Sequence, residues 1–188
     1  MGPRCLSVKS SLRNSMSSYK GTMCRLLAAD GSWDSFRENW RHQCVQQGDD
    51  FESYGITWLS VFEEDVASDM KNARVYTIEY DGAPHAAFHA NWTQIKGHKK
   101  EILRVRHLVL SPDLDYGTLP RSDYAIVLQG IISGVLDLAD SELPADHIRI
   151  HLKSPSDIPV FSAFGSFLAS SGVVKEAAPH GSWIFLDK

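Results

Sequence analysis

The chain has 188 residues, 43% of them hydrophobic, and a formal net charge of −4, which is enough material for one packed domain. Residues 1–29 carry Arg4, Lys9, Arg13, Lys20 and Arg25 without an acid, while the remainder holds 14 basic and 23 acidic residues. An acidic body argues against a dedicated nucleic-acid binder, and no apolar run approaches the ~20 residues of a membrane span.

The basic, Ser-rich stretch 1–29 reads as a tail ahead of a domain over 30–188. It is either an organelle-targeting peptide, a disordered arm, or sequence upstream of a start at Met16 or Met23. Cys5, Cys24 and Cys44 are odd in number and lack metal-ligand spacing, so free thiols in a reducing, cytoplasmic compartment are expected. Beyond the tail, Trp33, Phe36, Trp40 and Cys44 recur at spacings of three and four, which predicts an amphipathic helix over 33–47 with Ser32 as N-cap. Gly48-Asp49-Asp50 ends it. A short apolar piece follows at 55–60, then a second helix over 61–72 whose acidic start suits the helix dipole.

The period then changes. Segments 74–80 and 85–95 are β-rich and joined through Asp81-Gly82, a hairpin signal, and a third strand over 101–110 completes an antiparallel meander. Turn residues at 111–117 lead into an apolar helix over 124–139, in which Gly130 and Gly134 allow close approach to a sheet. The first N–H groups of that helix lack internal partners and aim partial positive charge beyond the strand end. Strict alternation over 147–152 predicts a strand, so strand, helix and strand form a right-handed βαβ unit with 147–152 parallel to 101–110. A helix over 158–170 capped by Ser156-Asp157, and a hairpin of 173–177 with 182–186 around Pro179-His180-Gly181, close the chain.

RVRHLVLSPDL (104–114) is similar to the central strand and turn of the GNAT N-acyltransferases, and FLASSGVV with GSWIFL is similar to their last helix and hairpin. With the order of elements, residues 33–187 resemble that superfamily. The resemblance implies an α/β fold of mixed α+β character: a GNAT-like central mixed sheet with an antiparallel meander, one βαβ unit and flanking helices. It further implies an acyl group moved from acetyl-CoA or another acyl-CoA to a small-molecule or protein amine by direct attack, with no metal. The acyl-CoA gap would lie between 108–111 and 150–153, contacted by Leu108, Val109, Leu110, Gly117 and Ser122. The family's Gln/Arg-x-x-Gly-x-Gly/Ala pyrophosphate loop is replaced by DLDYGTLP (113–120). There only Gly117 resembles a loop glycine, Pro120 fixes the helix entry, and Asp113 and Asp115 repel phosphate unless turned away.

Acyl transfer to an amine needs a base, an oxyanion donor and an acid for the thiolate. His107 is the natural base, since an imidazole titrates near neutrality; the bland alternative is a buried histidine satisfied by the sheet. The resemblance implies a backbone N–H near Leu108–Leu110 as oxyanion donor. The last helix lacks the family's tyrosine, leaving Tyr116 as the substitute acid. Arg104 and Arg106 share a strand face and either meet acidic partners or face an anionic substrate. His89 and Asn91 either line an acceptor pocket beside His107 or belong to a solvated sheet face. His85 and His89 stand ~13 Å apart along a strand, too far to share an ion. Two alternatives stand beside the enzyme: a GNAT-like ligand-binding or protein-interaction module without activity, and, from Glu101-Ile102-Leu103-Arg104, an enzyme resembling acyl-homoserine lactone synthases. The expected partners include no nucleic acid and no membrane; a homodimer stays open.

Overall fold

In the computed structural model of the chain, residues 5–7, 21–68, 70–94, 96–97, 101–152, 158–170 and 172–188 are described. The strands are β1 (Cys5–Ser7), β2 (Thr22–Leu26), β3 (Ala73–Tyr80), β4 (Ala83–Gln94), β5 (Glu101–Leu110), β6 (His147–His151), β7 (Glu176–His180) and β8 (Trp183–Asp187). The helices are α1 (Ser32–Gln46), α2 (Phe51–Gly55), α3 (Leu59–Ser68), α4 (Pro112–Asp115), α5 (Arg121–Asp140) and α6 (Ile158–Ser170). One eight-stranded sheet runs in the order β1-β2-β3-β4-β5-β6-β8-β7. Its β5–β6 pair is parallel, as the βαβ unit requires, and its other pairs are antiparallel.

The meander forms as its sequence predicts. Asp81 and Gly82 both have positive φ, 51° and 77°, which is the two-residue turn whose twist matches the flanking strands. Apolar residues alternate to two cores. On one face Met23, Phe88, Leu103, Val105 and Ile148 pack against α5 and α6. A Cβ at Gly134 would stand 2.9 Å from Met23 Sδ, so a glycine lets α5 lie close to β2. On the other face Leu26, Val75, Ala87 and Val109 meet Trp33, Phe36, Trp40, Phe51, Trp58 and Phe62 of the α1–α3 layer. The Trp40 indole N–H donates to the Pro84 carbonyl at 2.9 Å, which satisfies its one polar atom.

Several expectations need correction. Thr22–Leu26 pairs with β3 along its whole length and buries Met23 in the core, so the sheet takes in residues assigned to the tail. Cys5 lies directly opposite Cys24 on paired antiparallel strands, with Cα atoms 4.1 Å apart, and the two are joined as a disulfide. They are not free thiols: strand register, which a sequence separation of 19 does not reveal, brings them together. Cys44 alone is free, and burial followed by nearby acids pushes its thiol up to about 11.

Ser32 does not cap α1. Its hydroxyl donates to Asp30 at 2.6 Å and accepts the Leu27 N–H at 2.9 Å, which ties the entry loop together instead. Residues read as turns around Asp50 and Pro112 are the short helices α2 and α4; the Asp50 side chain caps α2 by accepting the Ser53 N–H. The second helix begins earlier and stops sooner than 61–72, at Leu59–Ser68. In the closing hairpin, the turn falls on Gly181-Ser182 and Pro179 sits inside β7, an edge strand that tolerates a residue without an N–H. Ser156-Asp157 lies outside the described residues. Among the described residues no helix is long and apolar enough to cross a membrane.

Candidate functional site

The parallel register of β5 and β6 runs from Ile102↔His147 to Val105↔Ile150 and stops there, although β5 continues to Leu110. Past β6, the Leu152 N–H turns to the Ser182 carbonyl at 2.8 Å. The two strands therefore part beyond Val105. At the divergence lies a cavity of about 400 Å³ lined by Thr57, Trp58, Arg106, His107, Leu108, Val109, His151 and Trp183.

A bulge in β5 shapes this cavity. Ala87 pairs with Val109 and His89 with Arg106, so two residues, His107 and Leu108, oppose Phe88. His107 takes the left-handed conformation, φ 48°, which is uncommon for a residue with a Cβ and persists where surroundings impose it. The consequence is a change of parity. Leu103 and Val105 face the α5–α6 core before the bulge, whereas Leu108 and Leu110 face it afterwards and Val109 turns to the α1–α3 core. His107, which simple alternation sets opposite Arg106, lines the same cavity, with its ring 6.3 Å from that of His89.

His89 is drawn the other way. It is 8% exposed and its Nε2 meets the Asp65 carboxylate of α3 at 2.9 Å. Burial, then the neighbouring His107, Arg106 and Arg104, push its pKa down to about 4, so it donates as a neutral imidazole. The His89 face of β4 is thus packed against a helix; it is neither a solvated face nor part of the cavity lining. Asn91 donates to the Asn72 carbonyl at 3.2 Å and is likewise away from the cavity.

A pH dependence of stability follows. The unfolded imidazole gains its proton near pH 6.5 and the folded one only near 4, so the stabilisation is complete above 6.5 and is lost as pH falls toward 4. Its full size is about 3 kcal/mol. Asp65, raised by burial, opposes it, because its proton is bound more tightly in the fold. Urea denaturation between pH 7 and 4.5 should show falling stability for the native chain and a steeper fall for Asp65→Asn.

The remaining expected site residues divide. Arg106, Leu108 and Val109 join His107 at the cavity, and Arg104 reaches it through Trp183, over whose ring both guanidinium groups lie. Leu110 offers its carbonyl to the Tyr54 hydroxyl at 2.7 Å. Tyr116 does not line the cavity: its hydroxyl donates to Asp49, and that hydrogen bond pushes the phenol up to about 12. The Gly117 N–H goes to the Leu114 carbonyl, and those of Thr118 and Leu119 go to the Asp113 carbonyl, closing the loop on itself. Ser122 lies in the first turn of α5.

The acids of that loop do turn away. The Asp113 carboxylate accepts from Gln47 Nε2 at 3.1 Å and its N–H donates to Gln43, so it faces α1. Asp115 stands beside Tyr54, whose phenol burial and that carboxylate both raise. Beyond Val105 the β5 edge toward β6 thus has no ladder partner among the described residues, beside the cavity at the bulge.

Trp58, Thr57 and Trp183 belong to the cavity without having been singled out as site residues, and His151, on the polar side of β6, lines it as well. Trp183 carried a signal only as part of the apolar run of the last strand. Trp58 carried none, since it arrives from the far layer. Among the described residues, no group of three or more His, Cys, Asp or Glu is placed to hold a metal ion.

Neither a family model nor a curated protein matches the chain. Solved structures do. A probable acetyltransferase from Staphylococcus epidermidis aligns over 88% of this chain and 96% of its own at 12% identity and a TM-score of 0.52. An N-acyl amino acid synthase from uncultured soil microbes aligns over 90% and 91% at 16% identity and a TM-score of 0.45. A probable acetyltransferase of the GNAT family from Chromobacterium violaceum aligns over 96% and 87% at 10% identity and a TM-score of 0.48. The chain has a GNAT-like fold.

Proposed function

We propose that the protein is an N-acyltransferase that moves an acetyl or longer acyl group from acyl-CoA to an amine by direct attack. The parting of β5 from β6 at the bulge, with His107 on the resulting cavity, is the observation that carries this reading. The unpaired β5 edge suits an extended pantetheine arm, and the first turn of α5 would supply partial positive charge to the pyrophosphate. His107 takes the proton from the acceptor ammonium, the freed amine attacks the thioester carbon, and a backbone N–H beyond the bulge steadies the oxyanion. The C–S bond then breaks, and as the amide forms the second proton of the attacking nitrogen passes through water to the departing thiolate. A thiolate is an adequate leaving group that water protonates, so Tyr116, held by Asp49, takes no part.

One observation favours a second reading. With the N–H groups of residues 117–119 bonded inside their own loop, that loop offers no cradle for a pyrophosphate, as expected of a ligand-binding or protein-interaction module. Calorimetry with acetyl-CoA and with a long-chain acyl-CoA distinguishes them. Saturable heat with at least one is expected; silence with both, together with an unchanged melting temperature, leaves only the module.

A further inference from the structure

Helices α1–α3 cover the β2–β5 part of their sheet face. Next to it on the same face stand Arg104 and Arg106 of β5, Arg149 of β6, and Trp183 and Phe185 of β8, none of them fully buried and none in that aromatic core. Arg104 pairs in register with Arg149, and Arg149 with Phe185, so the cations lie side by side. The Arg104 and Arg106 guanidinium carbons lie 5.5 Å and 5.9 Å from the Trp183 ring centre, and that of Arg149 lies 4.2 Å from the Phe185 ring centre.

Like charges gathered this closely normally recruit carboxylates. Two acids near the face meet histidines instead: Asp65 meets His89 and Asp187 meets His147, at 2.9 Å and 2.7 Å. Among the described residues no carboxylate oxygen comes within 4.0 Å of Arg104 or Arg106. Burial first, then the neighbouring Arg106 and Arg149, lower the Arg104 pKa. The planar guanidinium fork matches a carboxylate or phosphate in two-point contact.

We propose that the acyl acceptor is a small amine bearing an oxyanion a few bonds from its nitrogen, held by Arg104 and Arg106 so that the nitrogen meets His107. This rests on the acyltransferase reading. Arg106 adjoins His107 in the chain and lines the same cavity, so anion and amine sit close together. The cluster is assigned to the acceptor and not to the pyrophosphate of CoA: Arg106 lies ~13 Å along β5 from Leu110, and α5 starts only after that strand end, at Arg121.

The test is a thermal-shift titration of the full chain with matched amines, with and without acetyl-CoA. Each α-amino acid is set beside its carboxamide, and ethanolamine phosphate beside ethanolamine. At least one anionic member is expected to raise the melting temperature while its neutral partner does not, and Arg104→Gln and Arg106→Gln should each weaken that binding at least ~10-fold. The acetyl-CoA shift should survive both substitutions. A carboxylate or a phosphate preference identifies which oxyanion is read. Equal or absent responses to both members of every pair overturn the acceptor assignment even where acetyl-CoA binds. Absence of any response of the native chain to both acetyl-CoA and a long-chain acyl-CoA instead sinks the parent reading. The native titration decides the matter should either arginine variant fail to fold.

Discussion

Replacing His107 by glutamine is expected to lower kcat/KM for acyl transfer at least ~100-fold, the span typical of a lost general base, while the KM for acyl-CoA stays within about twofold. The loss should fall on kcat, because the role proposed for this side chain, which lines the cavity, is proton transfer. Stability gives the independent check. His107 is held at φ 48°, where a glycine rests without strain and a β-branched residue does not. His107→Gly should therefore melt within about 1 kcal/mol of the native chain, since relief of the left-handed strain offsets the flexibility introduced. His107→Val should be clearly less stable, and both should be inactive. Full activity in the glycine variant would remove His107 from the mechanism and leave the bulge as its only contribution.

The second large effect belongs to Trp58. This side chain is 1% exposed, and its ring lies 5.0 Å from that of Phe62, 5.6 Å from Trp40 and 6.0 Å from Phe51. Trp58→Ala should cost about 3–5 kcal/mol, the usual range for an emptied aromatic site, and for a domain of this size it should lower the melting temperature by ~10 °C. Trp58 also forms a wall of the cavity. The conservative Trp58→Phe should recover most of the stability yet change the preferred acyl length or acceptor, because the wall recedes without collapsing. Equal stability of the alanine variant and the native chain in urea would contradict the packing described for α1–α3.

Much of the architecture was legible along the chain because its signals are local. The Trp33, Phe36, Trp40 and Cys44 stripe states a helix and its buried face, and Asp81-Gly82 states a turn with two positive φ values. The βαβ step then fixes the direction of β6, since chirality leaves one way to return to the sheet. Short elements escaped: a five-residue α2 and a four-residue α4 are shorter than two helical turns, so no periodicity can declare them. The leading strands escaped as well, because β2, only five residues long and set behind a basic stretch, declares no strand until β3 supplies its hydrogen bonds and α5 covers Met23.

For the site, composition and alternation were sufficient to bring forward His107, Arg104 and Arg106 as chemically apt residues on one central strand. Their arrangement was a matter of tertiary structure. Alternation alone puts His107 behind the sheet from Arg106; a bulge opposite Phe88 reverses that, and no residue type announces it. His89, chemically as apt as His107, is taken out of the cavity by Asp65, 24 positions earlier on α3, and Tyr116 is taken out by Asp49. Which ionisable groups remain available is decided by which distant partners the fold presents to them, and charge pairing acts through space with no regard to order along the chain.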